Sequence, residues 1–183
     1  ATGTGTITVT ATNFRGCVGD PLDLDVAIFP LPVIDAGADL EICLGDTISI
    51  GGAPTGPGGS FFIWGPNENI SSTDDANPEV FPIEDVEYNV QVVSANACSA
   101  RDTISITVNE AILSVSDDVE ICEGQTAQLQ ASGAIEYIWT PDMDLSNDSI
   151  ASPIASPTAT TTYMVESIDA NLCRAESSVT VAV

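Results

Sequence analysis

The sequence predicts an all-β chain built of tandem β-sandwich repeats. A strand-like run opens on Ile or Tyr, has Val two residues on and reaches Cys ten residues after its start, and this occurs three times: Ile7 to Cys17, Tyr88 to Cys98 and Tyr163 to Cys173. After each Cys comes a second alternating run, at Leu22, Leu24 and Val26, at Ile104, Ile106 and Val108, and at Val179, Val181 and Val183. Each such pair reads as two strands joined by a short turn, and a hairpin repeated along a chain signals an array. No segment sustains helical periodicity, while short apolar runs broken by Gly and Pro recur throughout, the pattern of a sandwich.

Residues 1–32 hold only the closing hairpin. Ile7, Val9 and Ala11 alternate as a half-buried strand does, and the run from Leu22 to Ile28 ends at Pro30 and Pro32, which cannot donate to a ladder. Two strands do not make a stable unit alone. The expectation is therefore the C-terminal hairpin of a truncated preceding repeat, with completion by a strand from another chain as the alternative. Residues 33–109 form one full repeat: a short acidic linker, Leu40 to Cys43, Thr47 to Ile50, a Gly- and Pro-rich loop at 51–59, Phe61 to Trp64, a polar loop at 67–78 and the hairpin. Residues 110–183 repeat that order, with Asp118 to Gly124 matching Asp39 to Gly45, Trp139 matching Trp64 and Tyr163 matching Tyr88. The hairpin Cys residues lie 81 and then 75 residues apart, so each unit is slightly smaller than a typical ~100-residue sandwich.

Charge excludes several functions. There are 27 Asp and Glu against 3 Lys and Arg, a net charge of −24, and no His. A nucleic-acid partner needs a basic footprint that is absent here, and an anionic membrane surface would be repelled. Without His or a Cys-His pair, the usual nucleophilic arrangements cannot be assembled, so the chain is read as non-enzymatic. The apolar runs fall far short of the ~18 residues of a membrane span.

The five Cys fall into two positional classes. Cys43 and Cys122 lie early in a repeat, while Cys17, Cys98 and Cys173 lie in closing hairpins. Pairing within units gives Cys43–Cys98, 55 residues apart, and Cys122–Cys173, 51 apart, and leaves Cys17 unpaired in the chain. Such bonds imply an oxidising, extracellular location. Metal thiolates or free core thiols are the rival reading, though no C-x-x-C spacing supports a metal. One geometric difficulty stands: seven strands per unit put the first turn and the last turn at opposite poles.

At Ser156 to Val165, continuing to Asp169-Ala-Asn-Leu-Cys173, the sequence resembles the Thr-rich, Tyr-x-Val, Asn-Gly-Cys signature of PKD-like and immunoglobulin-like tandem repeats. These occur in long cell-surface proteins of Bacteroidota, such as gliding-motility adhesins exported by type IX secretion. The Cys-x-Gly openings at Cys43 and Cys122 and the Trp-x-Pro at Trp64 and Trp139 fit the same pattern. Ala97 and Leu172 depart from it, since Gly usually precedes this Cys and only Gly16 keeps it. The resemblance implies immunoglobulin-like or PKD-like sandwiches and an adhesive or stalk-like role.

Trp64 and Trp139 read as core residues packing across a sandwich, with sugar stacking as the sharper alternative. Tyr88 and Tyr163 resemble corner tyrosines whose hydroxyls bond backbone. Asp35, Asp39, Asp117 and Asp118 gather before the full repeats as candidate Ca²⁺ ligands, against the plainer reading of a solvated acidic surface. Thr47, Thr103 and Ser149 sit in the Asp-(Ser/Thr)-aliphatic pattern of O-glycosylation in the same bacteria. The functional expectation is a structural or adhesive segment of an extracellular stalk or filament, with neighbouring repeats or identical subunits as partners. A carbohydrate- or protein-binding module using the 51–59 and 67–78 loops is the alternative, taking glycans or surface proteins as partners. A subunit polymerising by strand complementation through residues 1–32 is a further one.

Overall fold

The computed structural model describes residues 2–183, and among them there is no helix. An antiparallel hairpin of β1 (Gly3–Val9) and β2 (Leu22–Ile28) opens the chain. Next come β3 (Leu40–Cys43), β4 (Ile48–Ser49), β5 (Phe61–Gly65), β6 (Glu79–Val80), β7 (Val86–Val93) and β8 (Ser99–Asn109). They form a sheet of order β3-β8-β7-β5 and a smaller sheet β4-β6. The order recurs in β9 (Ser114–Val115), β10 (Val119–Glu120), β11 (Ala127–Gln128), β12 (Ala131–Ser132), β13 (Glu136–Thr140), β14 (Ile154–Ala155), β15 (Thr161–Ile168) and β16 (Arg174–Ala182). There the large sheet is β10-β16-β15-β13, with β11-β14 and β12-β9 as small ones.

In each large sheet the opening strand runs parallel to the closing one: Leu40 lies against Ile106 and Val119 against Val181. The other neighbours are antiparallel, as Trp64 against Val90 and Trp139 against Val165 show. A closing hairpin flanked by the Trp-bearing strand, with a second sheet of early and middle strands, is the arrangement of an immunoglobulin-like sandwich. The chain is thus all-β, with tandem immunoglobulin-like repeats.

By proximity the chain groups into two compact units. One takes the N-terminal stretch through Asp39 together with Thr47–Phe81 and Val86–Ser105; the other takes Leu40–Asp46, Pro82–Asp85 and Ile106–Val183.

The strand period of two selects the core. In the first unit Ile50, Trp64, Val80, Tyr88, Val90, Val92 and Ile104 are buried, and the residues between them along β7 are less so. In the second, Leu129, Trp139, Ala155, Tyr163, Val165, Val179 and Val181 form one cluster. Each Trp bonds a backbone carbonyl eleven residues downstream: Trp64 Nε1 donates to Asp75 O at 2.9 Å and Trp139 Nε1 to Ile150 O at 3.0 Å. That satisfies the one polar atom of a buried indole. The loop at 51–59 is pinned by backbone bonds from Gly51 N to Ala36 O (3.0 Å) and from Gly52 N to Asp35 O (2.8 Å). Gly51 has φ +96°, and a Cβ there would meet Ala76 O at 2.6 Å, so no other residue fits.

Candidate functional site: the cysteines and the open hairpin

The three closing turns are built alike. In each, the first residue donates its N–H to the Cys carbonyl: Asn13 to Cys17 (2.9 Å), Ser94 to Cys98 (2.9 Å) and Asp169 to Cys173 (3.0 Å). The side chains of Asn13 and Asp169 also accept the Cys N–H, at 3.0 and 2.9 Å. The residue before Cys takes a left-handed backbone in all three, with φ of 81° at Gly16, 61° at Ala97 and 66° at Leu172. The departures at Ala97 and Leu172 therefore keep the Gly-type conformation without Gly.

The disulfide expectation is corrected. The structure joins Cys43 to Cys173, with Cα atoms 5.5 Å apart, and Cys17, Cys98 and Cys122 are free thiols among the described residues. The reason is strand direction. β3 runs parallel to β8, which places Cys43 beside Asn109 at the far end of β8, whereas Cys98 precedes the start of that strand. An eleven-residue strand spans roughly 35 Å at ~3.3 Å per residue, and a disulfide needs Cα atoms within about 7 Å. Cys122 is separated from Cys173 in the same way, because β10 runs parallel to β16 at its far end. The bond that forms ties the turn after β3 to the turn between β15 and β16, and both cysteines lie in the second compact unit.

Around this bond the second unit is knitted through Asn109. Leu44 N donates to Asn109 O at 2.8 Å, Cys173 Sγ lies 3.7 Å from the same oxygen, and Asn171 Nδ2 donates to Asn109 Oδ1 at 3.1 Å. Asn109 carries no motif in the sequence; only the parallel register of β3 marks it.

The candidate Ca²⁺ ligands are not brought together: among the described residues no group of three or more acidic or thiol side chains is placed to hold a metal ion. Three of them hold backbone instead. Asp35 Oδ1 accepts from Gly37 N (2.9 Å), Asp39 Oδ1 from Ser105 N (2.9 Å) and Asp118 Oδ1 from Thr180 N (2.7 Å). The last two are the same contact in the two repeats, an aspartate before the opening strand clamping the closing strand. Asp117 is exposed, and so are Thr47, Thr103 and Ser149, the three glycosylation candidates.

Tyr88 and Tyr163 are both fully buried, but only one finds the expected backbone partner. The Tyr88 hydroxyl lies 3.1 Å from the carbonyls of both Glu68 and Asn69, in the 67–78 loop. The Tyr163 hydroxyl has no hydrogen-bond partner among the described residues. Burial raises the pKa of each phenol above 10.0, and for Tyr163 the nearby Asp144 carboxylate adds to it.

The first unit carries an apolar groove of about 690 Å³. The Pro30 to Asp35 linker, the 53–60 stretch and the turn at 94–96 line it. The 51–59 loop thus contributes to a concave surface, whereas the 67–78 loop does not line it. The hairpin β1-β2 presents an uncovered apolar face. Ile7 pairs with Leu24 and Val9 with Leu22, so these side chains share one face, and they are 53%, 59%, 56% and 72% exposed respectively.

No family model and no curated protein matches the chain. Among solved structures, the chain is similar to a three-immunoglobulin-domain structure of titin, an E-to-A variant, at 12% identity and TM-score 0.44, over 85% of this chain and 66% of that one. It is similar to the N-terminal eight immunoglobulin domains of Down Syndrome Cell Adhesion Molecule at 12% identity and TM-score 0.48, over 96% of this chain and 30% of that one. The insect immune protein hemolin is similar at 13% identity and TM-score 0.44, over 97% of this chain and 56% of that one.

Proposed function

We propose that this chain is a tension-bearing segment of an extracellular stalk or adhesin, built of a closing hairpin at 1–32 and sandwich repeats at 33–109 and 110–183. The observation that carries the reading is the Cys43–Cys173 bond, which adds a covalent tie between successive repeats to the peptide backbone. Closing a loop of 130 residues stabilises the folded chain by about 5 kcal/mol on loop-closure entropy. The bond also favours an oxidising compartment, outside the cytoplasm. The charge of −24 keeps neighbouring stalks apart. The sequence resemblance supports a stalk on a Bacteroidota cell surface, and the exposure of Thr47, Thr103 and Ser149 is compatible with O-linked sugars. Single-molecule stretching tests the role. With the disulfide intact, full extension falls short of the reduced chain's by about 450 Å, the length of 130 extended residues. Equal extension with and without reductant would end this reading.

The second reading, a binding module for glycans or surface proteins, is favoured by the apolar groove beside the 51–59 loop. Glycan-array and surface-protein binding that is lost on Pro54→Asp substitution would support it.

A further inference from the structure

We infer that the disulfides of this protein run between successive repeats as a rule. Cys98 is on this rule half of a second such link, whose other half is a Cys on an opening strand docked parallel to β2. The inference deepens the array reading above and rests on it.

Three independent features of the first unit converge on that strand. One is the edge of β2. Each complete closing hairpin has an opening strand hydrogen-bonded parallel to its last strand, β3 on β8 and β10 on β16. Among the described residues β2 pairs only with β1, so its other edge offers unpaired backbone donors and acceptors.

The second feature is the apolar face. The pairing of Ile7 with Leu24 repeats that of Tyr163 with Val179. In the complete repeat Tyr163, Val165, Val179 and Val181 are fully buried, while Ile7, Val9 and Leu24 all exceed half exposure. Two strands with a bare face need cover.

The third feature is the sulfur itself. Cys98 Sγ lies 3.9 Å from Phe29 O and 3.9 Å from Asn96 O; Cys173 Sγ lies 3.7 Å from Asn109 O and 3.9 Å from Asn171 O. Phe29 follows the end of β2 as Asn109 ends β8. Cys98 is therefore seated against the preceding closing strand as Cys173 is, and Cys173 is the one that is bonded, to the Cys in register with Asn109. A free thiol in the same seat lacks only the incoming strand.

The occupant is specified by this repeat's own chemistry. It is an opening strand of the type Leu-x-Ile-Cys-x-Gly, as at Leu40 to Gly45, with its Cys beside Phe29. β3 and β10 are already paired to their own closing strands, so the occupant is the opening strand of the repeat that β1 and β2 close. The bond forms by exchange. The Cys98 thiolate attacks the sulfur of a disulfide-activated Cys, the new S–S bond forms, the old one breaks, and the displaced thiolate leaves with no net oxidation.

The test uses the full oxidised chain and a synthetic peptide of residues 38–47 whose Cys is a mixed disulfide with glutathione. A second peptide scrambles the residues around the Cys, and a third carries N-methyl-leucine at the position of Leu44, whose N–H bonds Asn109 O in the formed link. Adducts at Cys17, Cys98 and Cys122 are quantified by peptide mapping at exchange equilibrium. Exposure alone favours Cys17 and Cys122, which are exposed, over the half-buried Cys98. The inference predicts the reverse: Cys98 dominates by roughly tenfold with the native peptide, and the preference falls with the other two. Labelling that follows exposure, or that ignores the peptide sequence, overturns it. Equal extension in the stretching experiment removes the Cys43–Cys173 bond on which the inference is patterned, whereas failure of the peptide exchange with that bond present overturns the inference alone, so the two failures are told apart.

Discussion

At Ala97 and Leu172 an ordinary side chain occupies a left-handed turn that Gly16 fills without strain. That conformation costs a non-Gly residue about 1–2 kcal/mol, part of which the greater unfolded freedom of Gly cancels. Leu172 is also 76% exposed, so its side chain contributes little burial. Leu172→Gly and Ala97→Gly are each predicted to stabilise the chain by about 0.5–1 kcal/mol in urea unfolding. The two tyrosines separate by the same kind of local accounting. Tyr88→Phe removes a hydroxyl that bonds two carbonyls and is predicted to cost about 1 kcal/mol, while Tyr163→Phe removes an unpartnered buried hydroxyl and costs nothing or stabilises. Both phenols hold their protons more tightly when folded. Their contribution is therefore fully present below pH 10.0 and is lost as pH rises through the raised folded values. Alkaline unfolding monitored by denaturant midpoint is predicted to be shallower in Tyr163→Phe. These residues were easy to find from sequence, because Tyr opens each hairpin. The missing partner of Tyr163 was not, because a hydroxyl's mate lies on a loop whose path the sequence does not specify.

Among the elements, the closing hairpins were legible and the small sheets were not. Val86–Val93 and Thr161–Ile168 alternate strictly in burial, which is what the Tyr-x-Val pattern states. Strands of two residues, such as β4 or β11, carry too few positions for a period to show. The opening strands were found by their Cys, but not their direction, and direction decides the disulfide. A parallel β3 carries Cys43 away from Cys98, while an antiparallel one would have brought them close. Acidic residues cluster before these strands, a pattern that fits either Ca²⁺ ligands or a solvated acidic surface; in the fold, Asp39 and Asp118 lock the parallel pairing by capping Ser105 N and Thr180 N. Asp39→Ala and Asp118→Ala are each predicted to cost about 1 kcal/mol, with Asn at either position recovering most of it, since an amide oxygen still accepts. Equal loss with Ala and Asn would argue for a role of the charge rather than of the acceptor.

On the scale of the whole molecule, the repeat and its charge were both visible in the chain itself. With 27 acids and 3 bases, most pairs of charges are repulsive. Raising ionic strength from ~0.01 to ~0.15 M shortens the screening length from about 30 to about 8 Å, so the melting temperature is predicted to rise with added NaCl. The two positional classes of cysteine read from sequence as pairs within each repeat, Cys43–Cys98 and Cys122–Cys173; the parallel register of β3 carries Cys43 away from Cys98, and the bond runs from Cys43 to Cys173.

Disulfide mapping of the oxidised, non-reduced chain is the most direct measurement. Proteolysis under acidic conditions followed by mass spectrometry is predicted to yield one linked peptide joining Cys43 to Cys173, with Cys17, Cys98 and Cys122 recovered as alkylatable thiols. Recovery of Cys43–Cys98 and Cys122–Cys173 peptides instead would mean that each repeat is closed on itself, and the covalent tie between repeats would not exist.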